Sequence, residues 1–403
     1  MPNYLYSASD ANGRIISGKI EAASSDVLGA ALKDRGLYPI SIKRESVLKK
    51  DLEFGSKKIS LKELAIFAKQ FASLLGAGVT VISCLDILRQ QTENKVFARI
   101  LETVHEEVQK GKALSTTMKE HSDVFPSILI HMVEAGELSG NLEISFDRLA
   151  SHFDKESKTS NKIKSALTYP IVVVLFAIAA VVVIVTVVIP GFAPVFAGLG
   201  VELPFFTRIL LSLSDFIRDY WLALIVGIAA IIAAYTFYSK TPGGRYTLSK
   251  LSLKLPYIGA LNLKVASSRF ARTLSTMLAS GLSLFVAIDI SSKVVGNAYI
   301  SEGLTKLREE VSRGSTIAEP LKELGVFSPM LVHMVTVGES TGEIESLLQN
   351  TAEYYDEEVD VAVSQLTAVM EPAIILVLGI IVLIIVLAVF GPILSMYGAV
   401  DSM

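Results

Sequence analysis

The chain has 403 residues, of which 51% are hydrophobic and 19% charged, and its formal net charge is −3. Its length allows roughly two or three domains, its mean hydropathy of +0.51 is typical of a membrane protein, and its near-neutral charge argues against nucleic-acid binding. The single cysteine, Cys84, excludes an intramolecular disulfide and cannot by itself supply a structural zinc site.

The first residues predict a small α/β module. Three strand-like stretches (NYLYSA, GRIISGKIEA and YPISIKR) surround a predicted helix from Ser25 to Arg35, and Asp10 to Gly13 supplies a turn. The element order would be ββαβ, ending near Arg44, with a lysine-containing linker up to Ser60. The N-terminus has neither the charged region nor the apolar region of a signal peptide, so internal segments are expected to direct membrane insertion.

Two later stretches are similar when the sequence is shifted by about 203 residues. FAKQFASLLGAGVTVISCLDI begins at Phe67, and FARTLSTMLASGLSLFVAIDI begins at Phe270. Their apolar residues recur at three- and four-residue intervals, which predicts helices, and Gly78 and Gly281 follow where a helix end often needs a left-handed residue. Each unit is therefore predicted to be a bundle of four or more helices.

The repeat continues through HMVEAGELSG and HMVTVGESTG, which share a Gly-Glu-x-x-Gly motif. The shared residues are Gly136, Glu137 and Gly140 in the first copy and Gly338, Glu339 and Gly342 in the second. Gly136 and Gly338 are expected to end the preceding helix, and Ser340 to Glu343 fits a capping box for the next one. The two glutamates could hold the bundle together, act as a hinge or docking corner, or meet a partner.

The histidines of these stretches, His131 and His333, are expected at helix interfaces rather than on a metal. A zinc-binding helix would carry a second histidine or an acid four residues later, where Ala135 and Val337 stand. The sequence has no nucleophile elbow, P-loop or cluster of catalytic histidines. It therefore predicts neither an enzyme nor a cofactor site.

Three apolar runs predict three transmembrane helices. Ile171 to Ile189 and Ala373 to Phe390 contain no charge, and Leu222 to Phe237 is flanked by the aromatic residues Trp221 and Tyr238. The first run would cover roughly 28 Å as a helix, close to the thickness of the hydrocarbon core. Buried strands are the alternative, which the length of the runs disfavours. None of the runs contains Asp, Glu, Lys, Arg or His, which weakens a transporter interpretation.

Basic residues near the ends of the spans predict the orientation. Lys155, Lys158 and Lys162 precede the first span, and Lys240 and Arg245 follow the second, whereas the loop between these spans has few basic residues. The positive-inside rule then places the N-terminus and the second repeat in the cytoplasm and the C-terminus on the far side.

The chain is predicted to be a mainly α-helical integral membrane protein. Pro170 and Pro372 would each occupy the first turn of a span, and Glu371 would lie at a helix N-terminus, where a carboxylate is favourable. The predicted parts are an α/β module (1–50), helical repeat 1 (51–168), span 1 (169–190), an extracytoplasmic loop (191–220), span 2 (221–239), cytoplasmic helical repeat 2 (240–371), span 3 (372–391) and a short extracytoplasmic tail (392–403).

Nearly the whole chain resembles the F-protein family of type II secretion systems, which includes the platform proteins of type IV pili. The motifs that carry the resemblance are YLYSASDANG, F-A-[KR] and the Gly-Glu motif in each repeat, ALTYP, LPYIG, ARTL with Arg272, EEVD, and Glu371-Pro372 before the last span. Their order, together with the duplication, is specific, whereas no single motif is.

The resemblance implies a platform protein in the bacterial inner membrane. It would couple a hexameric assembly ATPase in the cytoplasm to the extraction of pilins or pseudopilins and to filament assembly. Other inner-membrane assembly proteins, membrane lipid and further copies of the chain are the other implied partners, and nucleic acid is not. Secretion-type members are associated with calcium near the Gly-Glu motif, but Asn141 stands where an acid would be expected, so no metal is predicted.

Alternatives remain open within and outside this family. The motifs are shared by the pilus and secretion branches and do not separate them. A polytopic transporter for small solutes is the rival class, and an intramembrane enzyme would need paired ionisable or nucleophilic residues inside the spans.

Overall fold

The structure is a computed structural model that describes residues 3–9, 15–22, 25–34, 36–44, 59–191 and 205–400. The chain divides into two compact units, Met1–Lys58 and Ile59–Met403, each of which is described by itself. The predicted turn from Asp10 to Gly13 and most of the predicted linker, residues 45–58, lie outside the described residues.

The described residues of the first unit form three strands and one helix. They follow one another as β1 (Asn3–Ser9), β2 (Ile15–Glu21), α1 (Ser25–Asp34) and β3 (Tyr38–Arg44). Strand β1 lies in the middle of the sheet and pairs antiparallel with β2 and β3, so the strand order is β2-β1-β3. Leu28 and Leu32 of α1 are buried together with Ala22, because residues four apart share one face of a helix.

The first repeat is a bundle of six helices, the last of which continues beyond the bundle. They are α2 (Leu61–Gly76), α3 (Val81–Gln91), α4 (Lys95–Gln109), α5 (Leu114–Glu120), α6 (Ser127–Ser139) and α7 (Leu142–Val183). Ser60 and Glu63 form a capping box at the start of α2, which satisfies backbone N–H groups that have no partner within the helix. Gly78 has a φ of 80° just beyond the end of α2, a conformation that glycine adopts without strain.

Aromatic side chains fill the core of the first repeat. The rings of Phe71 on α2 and Phe146 on α7 stack with centroids 4.1 Å apart, and Phe67 makes edge contacts with Phe71, Phe97 and Phe146. These positions are the periodic apolar residues of the sequence, and they pack α2 against α7 along one stripe.

The second repeat follows the same order of helices. After α8 (Phe205–Lys240) and the linking helix α9 (Pro242–Ser252) come α10 (Ile258–Ala279), α11 (Leu284–Val294), α12 (Ala298–Ser312), α13 (Ala318–Glu323), α14 (Pro329–Thr341) and α15 (Ile344–Val400). Helices α10 to α15 correspond in sequence to α2 to α7. The prediction of a mainly helical protein with a repeated helical unit is confirmed.

Within the described part of the chain, three helices are long and apolar enough to cross a membrane, as predicted. They are Leu142–Gly191, which includes a π-helical segment at Ile184–Val188, Arg208–Lys240 and Ile344–Ala388, with hydropathies of 3.5, 2.1 and 3.0 in their most apolar windows. At most 6% of each window is buried within the protein, so these apolar side chains face outward as lipid-facing residues would. Val185, Ile189, Leu210 and Ala388 join the three spans in one small cluster.

The prediction that each proline begins a span helix is wrong. Pro170 lies inside α7, and Pro372 and Glu371 lie inside α15, because the last helix of each bundle continues into the membrane without a break. Each proline lacks the N–H that would bond to the carbonyl four residues earlier, so it marks a weakened turn where the charged half of the helix meets the apolar half.

The second span begins earlier than its apolar run. Helix α8 starts at Phe205 and contains one residue with non-helical backbone angles, Tyr220, at φ −115° and ψ 17°. This change of direction coincides with the predicted start of the span at residue 221. Residues 192–204 of the predicted loop lie outside the described residues, and α15 runs to Val400, well into the predicted tail.

Candidate functional site

The carboxylate of Glu137 binds the start of another helix in its own repeat. The backbone N–H groups of Leu114 and Ser115 donate to its two oxygens at 2.6 and 3.0 Å, and the Ser115 hydroxyl also donates to it. Helix α5 starts at Leu114 after Ala113, which has no side chain that could cap it. A carboxylate on α6 therefore supplies the missing cap and also complements the positive end of the helix dipole.

Glu339 repeats this arrangement in the second copy. Its oxygens accept hydrogen bonds from the backbone N–H groups of Ile317 and Ala318 at 2.5 and 3.0 Å. Ile317 precedes α13 and, like Ala113, has no capping side chain. Both glutamates are partly buried, so water replaces them poorly as acceptors. The glutamate of the Gly-Glu-x-x-Gly motif thus links two helices of its own bundle, α6 to α5 in repeat 1 and α14 to α13 in repeat 2.

The glycines of the motif have two different roles, and the predicted helix ends were wrong. Helices α6 and α14 continue through Gly136 and Gly338 and end at Gly140 and Gly342, whose φ values are 72° and 77°. A Cβ on Gly136 would come 2.6 Å from Ser145 Oγ, and one on Gly338 would come 2.7 Å from the Cα of Ile344. The earlier glycine therefore permits close packing of the next helix, and the later one forms the turn.

Two further predictions about this corner were wrong. Ser340 does not cap α15, because it lies inside α14, where its hydroxyl donates to the carbonyl of Val337 at 2.9 Å. His333 is exposed rather than at a helix interface, and the side chain of His131, 35% exposed, has its Nδ1 3.3 Å from a Glu134 oxygen. Among the described residues, no group of His, Cys, Asp and Glu is arranged to hold a metal ion.

A second polar region, here called the seam, lies where the charged half of α7 meets α10 and α15. Arg269 on α10 pairs with Glu156 on α7, and Arg272 on α10 pairs with Asp356 on α15. The hydroxyl of Ser268 also donates to Asp356 at 2.7 Å. Arg272 is 3% exposed, so water cannot solvate its charge, and the guanidinium depends on Asp356 as its counter-ion.

Further ion pairs extend the seam toward the membrane. Three lysine–acid pairs connect the three helices: Lys155–Glu353 at 3.3 Å, Lys162–Asp360 at 2.5 Å and Lys264–Glu358 at 2.6 Å. Beside them an apolar cluster of α10 and α15 (Leu261, Val359, Ala362 and Val363) packs with Ile163 and Ala166 of α7. The seam thus ties repeat 1 to repeat 2 just before two of the helices enter the apolar zone.

His152 is the unusual titratable group of the seam, and it belongs to the charged half of α7, outside the apolar part of the helix. It is 4% exposed, and burial together with the charges of Arg272 and Arg269 lowers its pKa to about 3. Its Nδ1 has no hydrogen-bond partner, and neither have the buried Nε atoms of Arg269 and Arg272. The imidazole is therefore neutral at physiological pH.

A polar cavity of about 370 Å³ opens beside His152. Cationic, anionic and neutral side chains alternate around it, among them Asp147, Arg148, Lys155, Arg272, Ser275, Glu345 and Gln349. The lining thus carries both signs of charge, and the cavity lies where α7, α10 and α15 meet.

Sequence reasoning found only part of this geometry. It singled out Glu137, Glu339 and Arg272, but did not place the glutamates on α5 and α13 or find the partners of Arg272. It missed His152 and Glu156 altogether. Their sequence signal is weak, because their neighbours on α10 are more than a hundred residues away in the chain. The contact can be recognised only once α7 and α10 are known to pack together.

The fold and these sites define a class of protein: an integral membrane scaffold with two related helical bundles, each extended by a membrane helix. Residues 67–190 and 270–392 both match the family described as type II secretion system (T2SS), protein F, and residues 1–43 match the N-terminal domain of that protein. The chain belongs to the type II secretion system protein F family.

Full-length relatives occur in both branches of this family. The chain is 39% identical to a type IV pilus assembly protein PilC of Thermus thermophilus, over all of both chains. It is 35% identical to the PilC of Myxococcus xanthus, covering 99% of this chain and 96% of the relative. A type II secretion system protein F of Vibrio cholerae is 30% identical, with 98% of each chain covered.

Proposed function

We propose that this protein is an inner-membrane platform protein for type IV pilus assembly. The observation that carries the proposal, together with the family, is the continuity of each bundle with a membrane helix. Helix α7 has 42 residues and α15 has 57, which correspond to lengths of about 63 and 85 Å. A displacement of a bundle would therefore be transmitted into the bilayer along a single helix rather than through a loop.

The proposed partner on the cytoplasmic side is a hexameric assembly ATPase, and the proposed cargo consists of pilins. ATP hydrolysis would belong to the partner, and the platform would convert its movement into extraction of a pilin from the bilayer and addition to the filament base. Other inner-membrane assembly proteins and lipid would surround the spans. The seam supports this role because it makes the two bundles one body, so that force applied to either reaches both membrane helices.

The proposed topology keeps both bundles on the ATPase side. Residues 1–168 and 240–371 would be cytoplasmic, and residues 191–220 and 392–403 extracytoplasmic, as the basic residues near the spans favour. Alkaline phosphatase fused after residue 403 should be active and one fused after residue 250 inactive. An active fusion at residue 250 would refute this orientation without touching the assignment to the family.

The pilus branch is favoured over the secretion branch by sequence identity. The chain shares 39% and 35% of its residues with the two PilC relatives and 30% with the secretion relative. Secretion by a pseudopilus is the second candidate function. It uses the same platform chemistry, so it differs in cargo rather than in mechanism.

A gene deletion tests the proposal. The deletion should abolish surface pili while leaving secreted enzymes at normal levels, and the intact gene supplied on a plasmid should restore the pili. Loss of secretion alone would assign the protein to the second branch. Normal piliation and secretion, in cells whose parent strain makes both pili and the protein, would overturn the platform function.

The coupling to the ATPase needs its own experiment. Tagged protein extracted in mild detergent should retain the assembly ATPase, and a variant with Glu137→Ala and Glu339→Ala should retain less of it although it still enters the membrane. Proteolysis should first show that the bundles of the variant are loosened. If parent and variant then retained the ATPase equally, binding of the ATPase would not depend on the order of the bundles.

A further inference from the structure

The first helix of each repeat has a different environment in the two copies. Helix α10 lies between α7 and α15, and Arg272 and Thr273 on it are 3% and 0% exposed. The equivalent residues on α2 are Lys69 and Gln70, both exposed, because α2 packs mainly against α7 and no second long helix among the described residues packs on it. Ile66, the equivalent of Arg269, is 47% exposed.

The last helix of each repeat shows the complementary difference. On α7 a stripe that includes Arg148, His152 and Lys155 faces α10, where Arg148 donates to Ser280 Oγ at 3.3 Å. The same stripe on α15 is formed by Asn350, Tyr354, Glu357 and Val361, all exposed. Tyr354 and Val361 are 41% and 47% exposed, in the half of the helix that lies outside the apolar run.

Inside one chain, therefore, the stripe of α7 covers α10, the first helix of repeat 2. The two equivalent surfaces, α2 at the start of repeat 1 and the stripe of α15 at the end of repeat 2, remain exposed. We propose that the α15 stripe of one copy packs on α2 of a second copy, in the way that α7 packs on α10. This inference goes beyond the platform function, because it stands on the duplicated geometry whatever the cargo is.

The uncovered surfaces match in chemistry. Within the chain, Arg272 of α10 and Lys155 of α7 line the same cavity and are both positive. Their equivalents in the other repeat are Lys69 on α2 and Glu357 on α15, which have opposite charges. A contact between two copies would therefore bring opposite charges together. Ile66 would meet Tyr354, as Arg269 and His152 lie near each other in the seam. Isolated exposed apolar residues are ordinary, and it is their placement at both ends of one repeated contact that points to a second copy.

The contact is heterologous, since it joins two different surfaces. Repetition of such a contact gives either a closed ring or an open fibre. Copies held in one bilayer share the same orientation, so repetition around an axis normal to the membrane would produce a ring. Each ring member would offer one α2 surface and one α15 stripe to its neighbours.

Crosslinking of the full-length chain in membranes tests the pairing. Two tagged forms are co-expressed, one with Ile66→Cys and the other with Tyr354→Cys, and a short bismaleimide is added. Cys84 is fully buried, so the parent chain serves as the unreactive control. We expect a dimer that carries both tags, no product from either variant alone, and higher oligomers when both cysteines are in one chain.

Charge reversal provides the matched control. Glu357→Lys should lower the crosslinking yield on the order of tenfold, and adding Lys69→Glu should restore it, whereas Glu309→Lys on α12 should have no effect. Efficient crosslinking of Ile66→Cys to itself would mean a symmetric contact and overturn the proposal. Shielding of the Ile66→Cys thiol from maleimide with no mixed product would overturn it too, because another part of the chain or a partner would then cover α2.

Discussion

The two repeats share their order of helices but not their position in the molecule. In the first, α2 has one buried face and one exposed face, and in the second the equivalent helix, α10, is buried nearly all round. The cores differ as well: Phe97 and Phe146 of the first repeat correspond in sequence to Ile300 and Leu348 of the second, and all four side chains are fully buried. The duplication kept the fold, while the first helix of the second copy became enclosed between α7 and α15.

Because of this difference, the same sequence motif contributes differently to stability in the two repeats. The F-A-[KR] motif places Lys69 at the surface, where it pairs with Asp147 at 2.9 Å while 67% exposed. It places Arg272 in the interior beside Asp356. An exposed ion pair contributes little because water and salt screen it, whereas a buried charge that loses its partner is costly.

The largest expected effect therefore comes from breaking the buried pair. Arg272→Met should lower the free energy of unfolding by about 3 kcal/mol, because Asp356, whose side chain is only 25% exposed, would lose its counter-ion and keep the hydrogen bond from Ser268. Lys69→Met, the matched change in the first repeat, should cost no more than about 1 kcal/mol. Thermal unfolding of both variants in detergent at one pH measures the contrast.

An equal loss of stability in the two variants would contradict the different roles of the repeats. The double variant Arg272→Met with Asp356→Leu serves as the control. Since it removes both charges, it should recover much of the lost stability.

The capping glutamates test the opposite expectation, that the repeats behave alike. Glu137→Ala and Glu339→Ala should each lower stability by about 2–3 kcal/mol, since each leaves two backbone N–H groups without an acceptor in a partly buried place. Glutamine at either position keeps one acceptor oxygen and should cost less. Hydrogen exchange of the α5 and α13 amides should accelerate in the alanine variants, each in its own repeat only.

The sequence was sufficient for the features that depend on local pattern. The apolar runs predicted the three spans, and the similarity of FAKQF and FARTL predicted the repeated bundle. The helix boundaries were less accessible. Glycine within Gly-Glu-x-x-Gly can end a helix or allow close packing, and only the approach of Ile344 to Gly338 distinguishes the two.

The errors at the prolines and in the seam have a common cause. A proline usually ends or kinks a helix, and nothing local in the sequences of α7 and α15 shows that each helix continues through its proline. The seam likewise depends on contacts such as Arg269 with Glu156, which come from different repeats. Contacts distant in sequence decide which charges are buried, and hence which are important.

The neutral His152 predicts a pH dependence that only repeat 1 can show, since Tyr354 occupies its place in repeat 2. Its folded pKa of about 3 lies below the unfolded value of 6.5, so protons bind more tightly to the unfolded chain. This contribution to stability is complete above pH 6.5 and is lost as the pH falls toward 3, by about 2 kcal/mol between pH 7 and pH 5.

Unfolding temperatures at pH 7 and pH 5 measure this dependence in the parent and in His152→Gln. The variant should show a smaller difference between the two pH values, whatever its stability at pH 7. The same pH difference in both proteins would mean that other groups, not this imidazole, respond to acid.

The glycines within α6 and α14 give the smallest and most local contrast. Gly338→Ala should destabilise by about 1–2 kcal/mol, because its new methyl group meets the backbone of Ile344, which cannot rotate away. Gly136→Ala meets the hydroxyl of Ser145, so Ser145→Ala should relieve part of its cost. Gly243→Ala, with open space around it, should be neutral or slightly stabilising. If Ser145→Ala failed to help Gly136→Ala, the backbone of Leu142 would be the limiting contact in repeat 1, as that of Ile344 is in repeat 2, and the corner would be equally rigid in each.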